Sequence, residues 1–289
     1  MRRIRFSPLF SPLFAPILLL PLHVGHGEEL LRQRAPRWVL FLYSRYEHLI
    51  MRAINYLASR EWIHRRPFLK RQVDRLTALI VRFINGEIIT LEEARHMISA
   101  IADHGYTIAV GTCPCRRARN IFSDRLPNNT DMVFGPWAEE YLRNYPGLYE
   151  RLDKEEALAR VEDFDRLGFV HQIYGWPPRE GAAYVLCNCC PDVCIPMRAL
   201  RERGYDSFRK GRSVAVVEEA ACLGASECGV CLKRCPFEAR TGSPTGKVSA
   251  DPEKCYGCGL CVSTCRGEAT RLQRKPGADL LFARHLVDA

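Results

Sequence analysis

The residues best suited to chemistry are cysteines. The chain of 289 residues has 14, and eight of them fall between Cys222 and Cys265. Such a local density points to metal rather than to a disulfide scaffold spread over the fold. The second half of the tract reads Cys255-Tyr-Gly-Cys258-Gly-Leu-Cys261-Val-Ser-Thr-Cys265, a C-x2-C-x2-C-x3-C run. Three thiolates two residues apart on a tight, glycine-containing loop can grip three corners of one iron–sulfur cube, while the fourth, on the helix that follows, points to another cube. The first half, Cys222-x5-Cys228-Gly-Val-Cys231-Leu-Lys-Arg-Cys235-Pro236, repeats the pattern with Ala225-Ser226-Glu227 added. Zinc is the weaker reading, because its sites close with four ligands and have no use for two interlocked four-cysteine runs.

Residues 214–273 resemble the bacterial two-cluster ferredoxins on these motifs. The resemblance implies crossed ligation: Cys222, Cys228, Cys231 and Cys265 on one [4Fe-4S] cluster, and Cys255, Cys258, Cys261 and Cys235 on the other. It also implies a compact ferredoxin-like α+β domain of short hairpins and two small helices. Two features depart from the pattern, the insert at 225–227 and Arg266 where the family usually has proline. A cation beside Cys265 favours the reduced, more negative state, so the cluster ligated by Cys265 is expected to have the higher potential.

Six further cysteines lie upstream, in Cys113-Pro-Cys115-Arg116-Arg117 and Cys187-Asn-Cys189-Cys190-Pro-Asp-Val-Cys194. Each group follows an expected strand, a usual place for a site. Three readings stay open for them: a third metal site (iron–sulfur or zinc), a redox-active or substrate-reactive thiol site, or inert buried thiols. The order Cys-Pro-Cys-Arg, a helix ending in Leu167-Gly-Phe-Val-His171, Cys-Asn-Cys-Cys and a two-cluster tail is similar to a group of bacterial and archaeal 4Fe-4S dicluster proteins over residues 105–270. That similarity implies an arrangement and no reaction.

The eight histidines make no catalytic set. His23 and His26 read as a solvated loop, and His171 as a satisfied structural histidine. No Walker sequence and no G-x-G-x-x-G after a strand is present, so nucleotide and flavin binding have no support.

Elements must carry these motifs. Apolar residues at helical spacing predict helices over 38–59 and 67–84, and Thr90-Leu-Glu-Glu93 reads as a capping box opening a third, to about Asp103. A short β-branched run at 106–110 delivers the chain to Cys113. Helices follow at 137–144 and 153–167, then strands at 169–174 and 182–186 around the turn-rich 175–181. Helix plus hairpin suggests a winged-helix-like element. The expected fold class is α+β: a mainly α-helical N-terminal domain over 1–210 with that small β element, and a dicluster domain over 211–289 opening on a strand at 213–217.

Length favours two domains, and 47% hydrophobic with 26% charged residues excludes a disordered or multi-span membrane chain. The net charge of +9 is N-terminal: residues 1–75 hold 14 Lys and Arg against five acids. A basic face of this kind can dock on a membrane surface or an acidic partner. The basic, apolar start is interrupted by Pro8, Pro12, Pro16 and Pro21 and lacks a cleavage site, so a cytoplasmic protein is expected.

The expected function is electron transfer by two [4Fe-4S] clusters to a partner oxidoreductase or to a site near the upstream cysteines. One alternative is a reductase working at Cys113, Cys115, Cys187, Cys189, Cys190 and Cys194. Another is a redox-responsive DNA-binding regulator, although the basic surplus lies outside the helix and hairpin, which counts against nucleic acid.

Overall fold

A computed structural model describes residues 36–83, 86–176 and 182–280. The N-terminal 35 residues, with His23 and His26, and the hairpin tip at 177–181 lie outside the described residues.

The chain opens with three helices, α1 (Arg37–Ser59), α2 (Glu61–His64) and α3 (Pro67–Phe83). Strand β1 (Gly86–Ile89) leads to α4 (Leu91–Asp103), opened by the expected capping box, in which Thr90 and Glu93 satisfy each other's backbone N–H groups. Next come β2 (Ile108–Thr112), α5 (Pro114–Arg119), β3 (Asn129–Phe134), α6 (Gly135–Asn144) and β4 (Tyr149–Leu152). A second capping box, Asp153 with Glu156, starts α7 (Lys154–Leu167), followed by β5 (Val170–Trp176), β6 (Ala182–Cys189), α8 (Ile195–Arg203) and β7 (Phe208–Arg209).

Seven of these strands form one sheet in the order β4-β2-β3-β6-β5-β1-β7, antiparallel except for the β1–β7 pair. The two faces follow the strand period of two. Ile108, Val110, Met132 and Phe134 pack under Met97, Ile98 and Ile101 of α4 and Val161 of α7. The residues between them, Ala109 and Val133, pack on Leu40 of α1 and on Trp137 and Tyr141 of α6.

The α+β class holds and helices outweigh strands in the N-terminal part, but its β element is not small, because a seven-stranded sheet is its centre. Strands β1, β3, β4 and β7 escaped the pattern for local reasons. Strand β3 begins with Asn129-Thr-Asp, β4 is an edge with Glu150 and Arg151 exposed, β7 has two residues, and β1 is four residues long and begins at Gly86, just past the helix expected over 67–84. The winged-helix-like reading is corrected as well. Helix α7 and the β5–β6 hairpin exist, but β6 lies between β3 and β5, and β5 between β6 and β1. The hairpin is thus part of a seven-stranded sheet rather than a small element of its own, with β1 pairing His171–Ile173 of β5 and β3 pairing Val185–Cys187 of β6.

The remainder of the described chain builds from β8 (Ser213–Val217), α9 (Val230–Arg234), β9 (Arg240–Gly242), β10 (Val248–Ala250), α10 (Leu260–Ser263) and β11 (Thr270–Arg274). Strand β8 pairs with β11 and β9 with β10, both antiparallel. Polar contacts tie this part to the sheet. Arg212 bridges to Glu93 at 2.5 Å, Tyr256 donates to Asp206 at 2.5 Å, and Arg234 donates to the last carbonyls of α7, at Asp165 (2.7 Å) and Arg166 (2.6 Å). Among the described residues no helix is long and apolar enough to cross a membrane.

Candidate metal centres and a cysteine-lined cavity

Two cavities of about 360 Å³ each, a volume that includes space open to solvent, lie in the C-terminal part. One is lined by Cys222, Cys228, Cys231 and Cys265, the other by Cys235, Cys255, Cys258 and Cys261. In each, three thiols come from one motif and the fourth is the last cysteine of the other. The insert is accommodated by a closed turn, in which Ala225 N–H donates to Gly246 and Cys228 N–H to Gly224, so Cys222 and Cys228 still face one space. Gly257 takes a left-handed φ of 75°, and a Cβ there would stand 2.3 Å from the Ser213 carbonyl oxygen. Only glycine lets this loop turn so close to β8.

Both cavities are lined for negative sulfur. The N–H of Ala215 points at Cys255 Sγ (3.4 Å) and that of Ala239 at Cys235 Sγ (3.3 Å). Burial would raise the Cys265 thiol, but the Thr270 hydroxyl and the N–H groups of Thr270, Ala269 and Gly267 outweigh it and hold the group below its ordinary pKa. For Cys258, burial dominates and pushes the thiol far up.

Arg240, 6% exposed, is the buried cation of this region. Its terminal nitrogens face no oxygen acceptor among the described residues; the groups near them are the sulfurs of Cys261, Cys231 and Cys235. Burial opposes the guanidinium's charge, yet those sulfurs hold its pKa above the ordinary value. The expected cation, Arg266, is exposed.

Among the described residues no three His, Cys, Asp or Glu side chains converge closely enough to hold a single metal ion. The thiols stand around the walls of two spaces instead, a spread that suits a cube with iron at its corners better than one zinc ion. Four thiols, sulfur-directed N–H groups and a buried cation fit a [4Fe-4S] cluster in each cavity.

The six upstream cysteines do not share one fate. Cys113 and Cys194 hold the N-cap positions of α5 and α8, each helix carrying proline in its first turn, and Cys187 and Cys189, two residues apart on β6, share one face of the sheet. Together with Cys115 these five line a third cavity of about 1090 Å³, again partly open to solvent. Its other walls are mostly apolar, with Met51, Ile54, Leu57 and Ile80 from α1 and α3, and Tyr174 and Tyr184 from the sheet. Cys190 stays outside it; its carbonyl oxygen accepts the N–H groups of Val193 and Cys194 and shapes the turn into α8.

Within the five, electrostatic coupling links Cys113 to Cys115, Cys115 to Cys194, Cys194 to Cys189 and Cys189 to Cys187. Cys115 and Cys189, with help from the Met197 N–H, favour the charged form of Cys194, so its pKa falls to about 5. Cys115 and Cys189 move the other way and are held well above the ordinary thiol value. Cys194 is thus the thiol of this group whose charged form its neighbours favour.

Strand register adds a polar row on the same sheet face. Cys187 pairs with Asp131 and Asp131 with Gly111, over which the Tyr149 ring lies, and Tyr149 donates to Asp131 at 2.6 Å while Cys187 donates at 3.2 Å. Burial raises Asp131 to about 6, against the pull of these donors and of Arg117. Glu47 of α1 lines the cavity and accepts from Tyr141 (2.6 Å) and Tyr43 (3.5 Å). Burial, with Asp131 nearby, raises it to about 8.

His171 is buried and meets the expectation of a satisfied histidine only in part: Nδ1 contacts Asn188 Oδ1 at 2.7 Å, while Nε2, 3.8 Å from Asp165, has no hydrogen-bond partner among the described residues. Glu47, Asp131 and Arg240 were missed by sequence reasoning. No motif marks them, and each becomes notable only by facing sulfur or lining a cavity.

The cavity lined by the five thiols and the cavity lined by Cys258 border one hydrophobic core. Cys115, Cys189, Cys194 and Met197 share it with Ile88, Phe208, Phe237, Tyr256, Cys258 and Leu260. Phe237 stacks on Tyr256 at 4.2 Å in its middle. Compared with known proteins, the chain matches no family model and no curated protein.

Proposed function

We propose that this chain is an iron–sulfur electron-transfer protein with two [4Fe-4S] clusters, one on Cys222, Cys228, Cys231 and Cys265 and the other on Cys255, Cys258, Cys261 and Cys235. The observation that carries the reading is the division of eight thiols between two cavities, each completed by the last cysteine of the other motif. Clusters bound there would each take up and release one electron at a time. The chain's own part is to supply the thiolates, direct N–H groups at sulfur, offset negative charge with Arg240 and cover the second cavity with Phe237, Tyr256 and Leu260. Anaerobic purification followed by iron, acid-labile sulfide and zinc counting tests this. About eight irons and eight sulfides per chain support it, and a colourless chain without labile sulfide overturns it.

The reductase form of the reading is favoured over a plain carrier. Five upstream thiols line a concave apolar cavity rather than lying scattered, and that cavity borders the same core as the Cys258 cavity. Electrons would come from a partner redox protein and go to whatever the cavity binds. The DNA-binding alternative is the weaker reading, because the basic surplus of the sequence lies outside the helix and hairpin it needs.

A further inference from the structure

The chemistry of the cysteine-lined cavity can be taken one step further. Cys194 holds the N-cap position of α8 and lines one cavity with Cys115 and Cys189. Although three thiols share this wall, among the described residues no three His, Cys, Asp or Glu side chains converge closely enough to hold a metal ion. Neighbouring thiols that are not gathered around an ion suit passing a bond from sulfur to sulfur. Apart from Glu47, Thr77 and Ser207, the rest of the wall is mostly aliphatic and aromatic, with Met51, Ile54, Leu57, Tyr174 and Tyr184 among its residues.

We propose that this cavity is a thiol–disulfide exchange site for a disulfide carried on an apolar body, with Cys194 as the attacking thiolate and Cys115 or Cys189 as the resolving thiol. Cys194 Sγ attacks one substrate sulfur, forming a mixed disulfide and expelling the other half as a thiolate. The resolving thiol then gives up its proton and attacks Cys194 Sγ, and the second half leaves. The substrate gains two electrons and becomes two thiols, one protonated by the resolving cysteine and one by solvent. The protein loses two electrons and holds one internal disulfide. Only the return of that disulfide to thiols, by two single-electron deliveries, rests on the electron-transfer reading above.

The test is this half-reaction on the anaerobically purified full chain. The reduced protein is mixed with one equivalent of dithiodipyridine, an apolar aromatic disulfide, or with the doubly charged dithiobis(nitrobenzoate). The expected result is rapid release of about two thiopyridones per chain, a peptide map joining Cys194 to Cys115 or Cys189, and unchanged iron content. The charged reagent should react about tenfold more slowly, since an apolar wall disfavours it. Cys194→Ser should lose the rapid phase, and if that variant does not fold, the wild-type peptide map decides. An unmodified Cys194, equal rates for the two reagents, or a zinc or extra iron lost with Cys194 would overturn the proposal. Internal disulfide formation in a chain without clusters would sink the electron-transfer reading and leave this one standing, and the reverse result would do the opposite.

Discussion

The guanidinium of Arg240 faces the sulfur of Cys261, with Cys231 of the other ligand set also nearby. One buried cation thus serves both proposed clusters. A charge held in low dielectric acts on its neighbours far more strongly than an exposed one. Arg240→Gln should therefore lower both midpoint potentials, whereas Arg266→Pro, at an exposed position, should shift the Cys265-ligated cluster less. An EPR-monitored redox titration of both variants checks the order, and a larger shift from Arg266→Pro would contradict it.

Glu47 titrates near 8 in the folded chain, well above a free carboxyl, because burial and Asp131 disfavour its charge. The folded state then holds a proton that the unfolded state has already lost. This contribution is fully present below the ordinary carboxyl range and disappears as pH rises through about 8. Glu47→Gln should flatten the decline and stabilise the protein above pH 8 by roughly 1 to 3 kcal/mol. Denaturant unfolding of both forms across that range measures it, with equal slopes counting against a buried neutral Glu47.

Gly111 leaves the space through which Tyr149 reaches Asp131; an added Cβ would lie 2.3 Å from the Tyr149 ring. Gly111→Ala should cost roughly 1 to 3 kcal/mol by overpacking. It should also release the Tyr149 hydroxyl from Asp131. Unfolding midpoints give the first effect and tyrosine difference absorption the second, and a variant as stable as wild type would show that the ring has room to move.

Helices α1, α2 and α3 leave Trp38, Phe41, Trp62 and Phe68 exposed among Arg45, Arg52, Arg66 and Arg71. Aromatic side chains interleaved with cations suit the interface of an anionic bilayer. Co-sedimentation with vesicles rich in anionic lipid is expected at low salt, falling as salt rises. Trp62→Ala with Phe68→Ala should weaken it about tenfold or more. Equal binding to zwitterionic vesicles, or none to either kind, would remove a membrane role for this face.

Spacing alone determined much of what the C-terminal part can do. Cysteines two and three residues apart fix which thiols share a loop, whereas the exchange of a ligand between the two loops was implied by the resemblance to two-cluster ferredoxins. The capping box at Thr90 was equally legible, because a cap is a contact between residues three apart in sequence. Strand partners are not local. The sheet that centres the N-terminal part, the interior position of β5 and β6, and the row from Tyr149 to Cys187 all depend on register between segments far apart in the chain. So does the separation of Cys190 from its five neighbours, and so does Arg240, an ordinary residue in sequence until folding buries it against sulfur. Local geometry writes itself into sequence spacing; long-range pairing and burial arise only when the chain closes on itself.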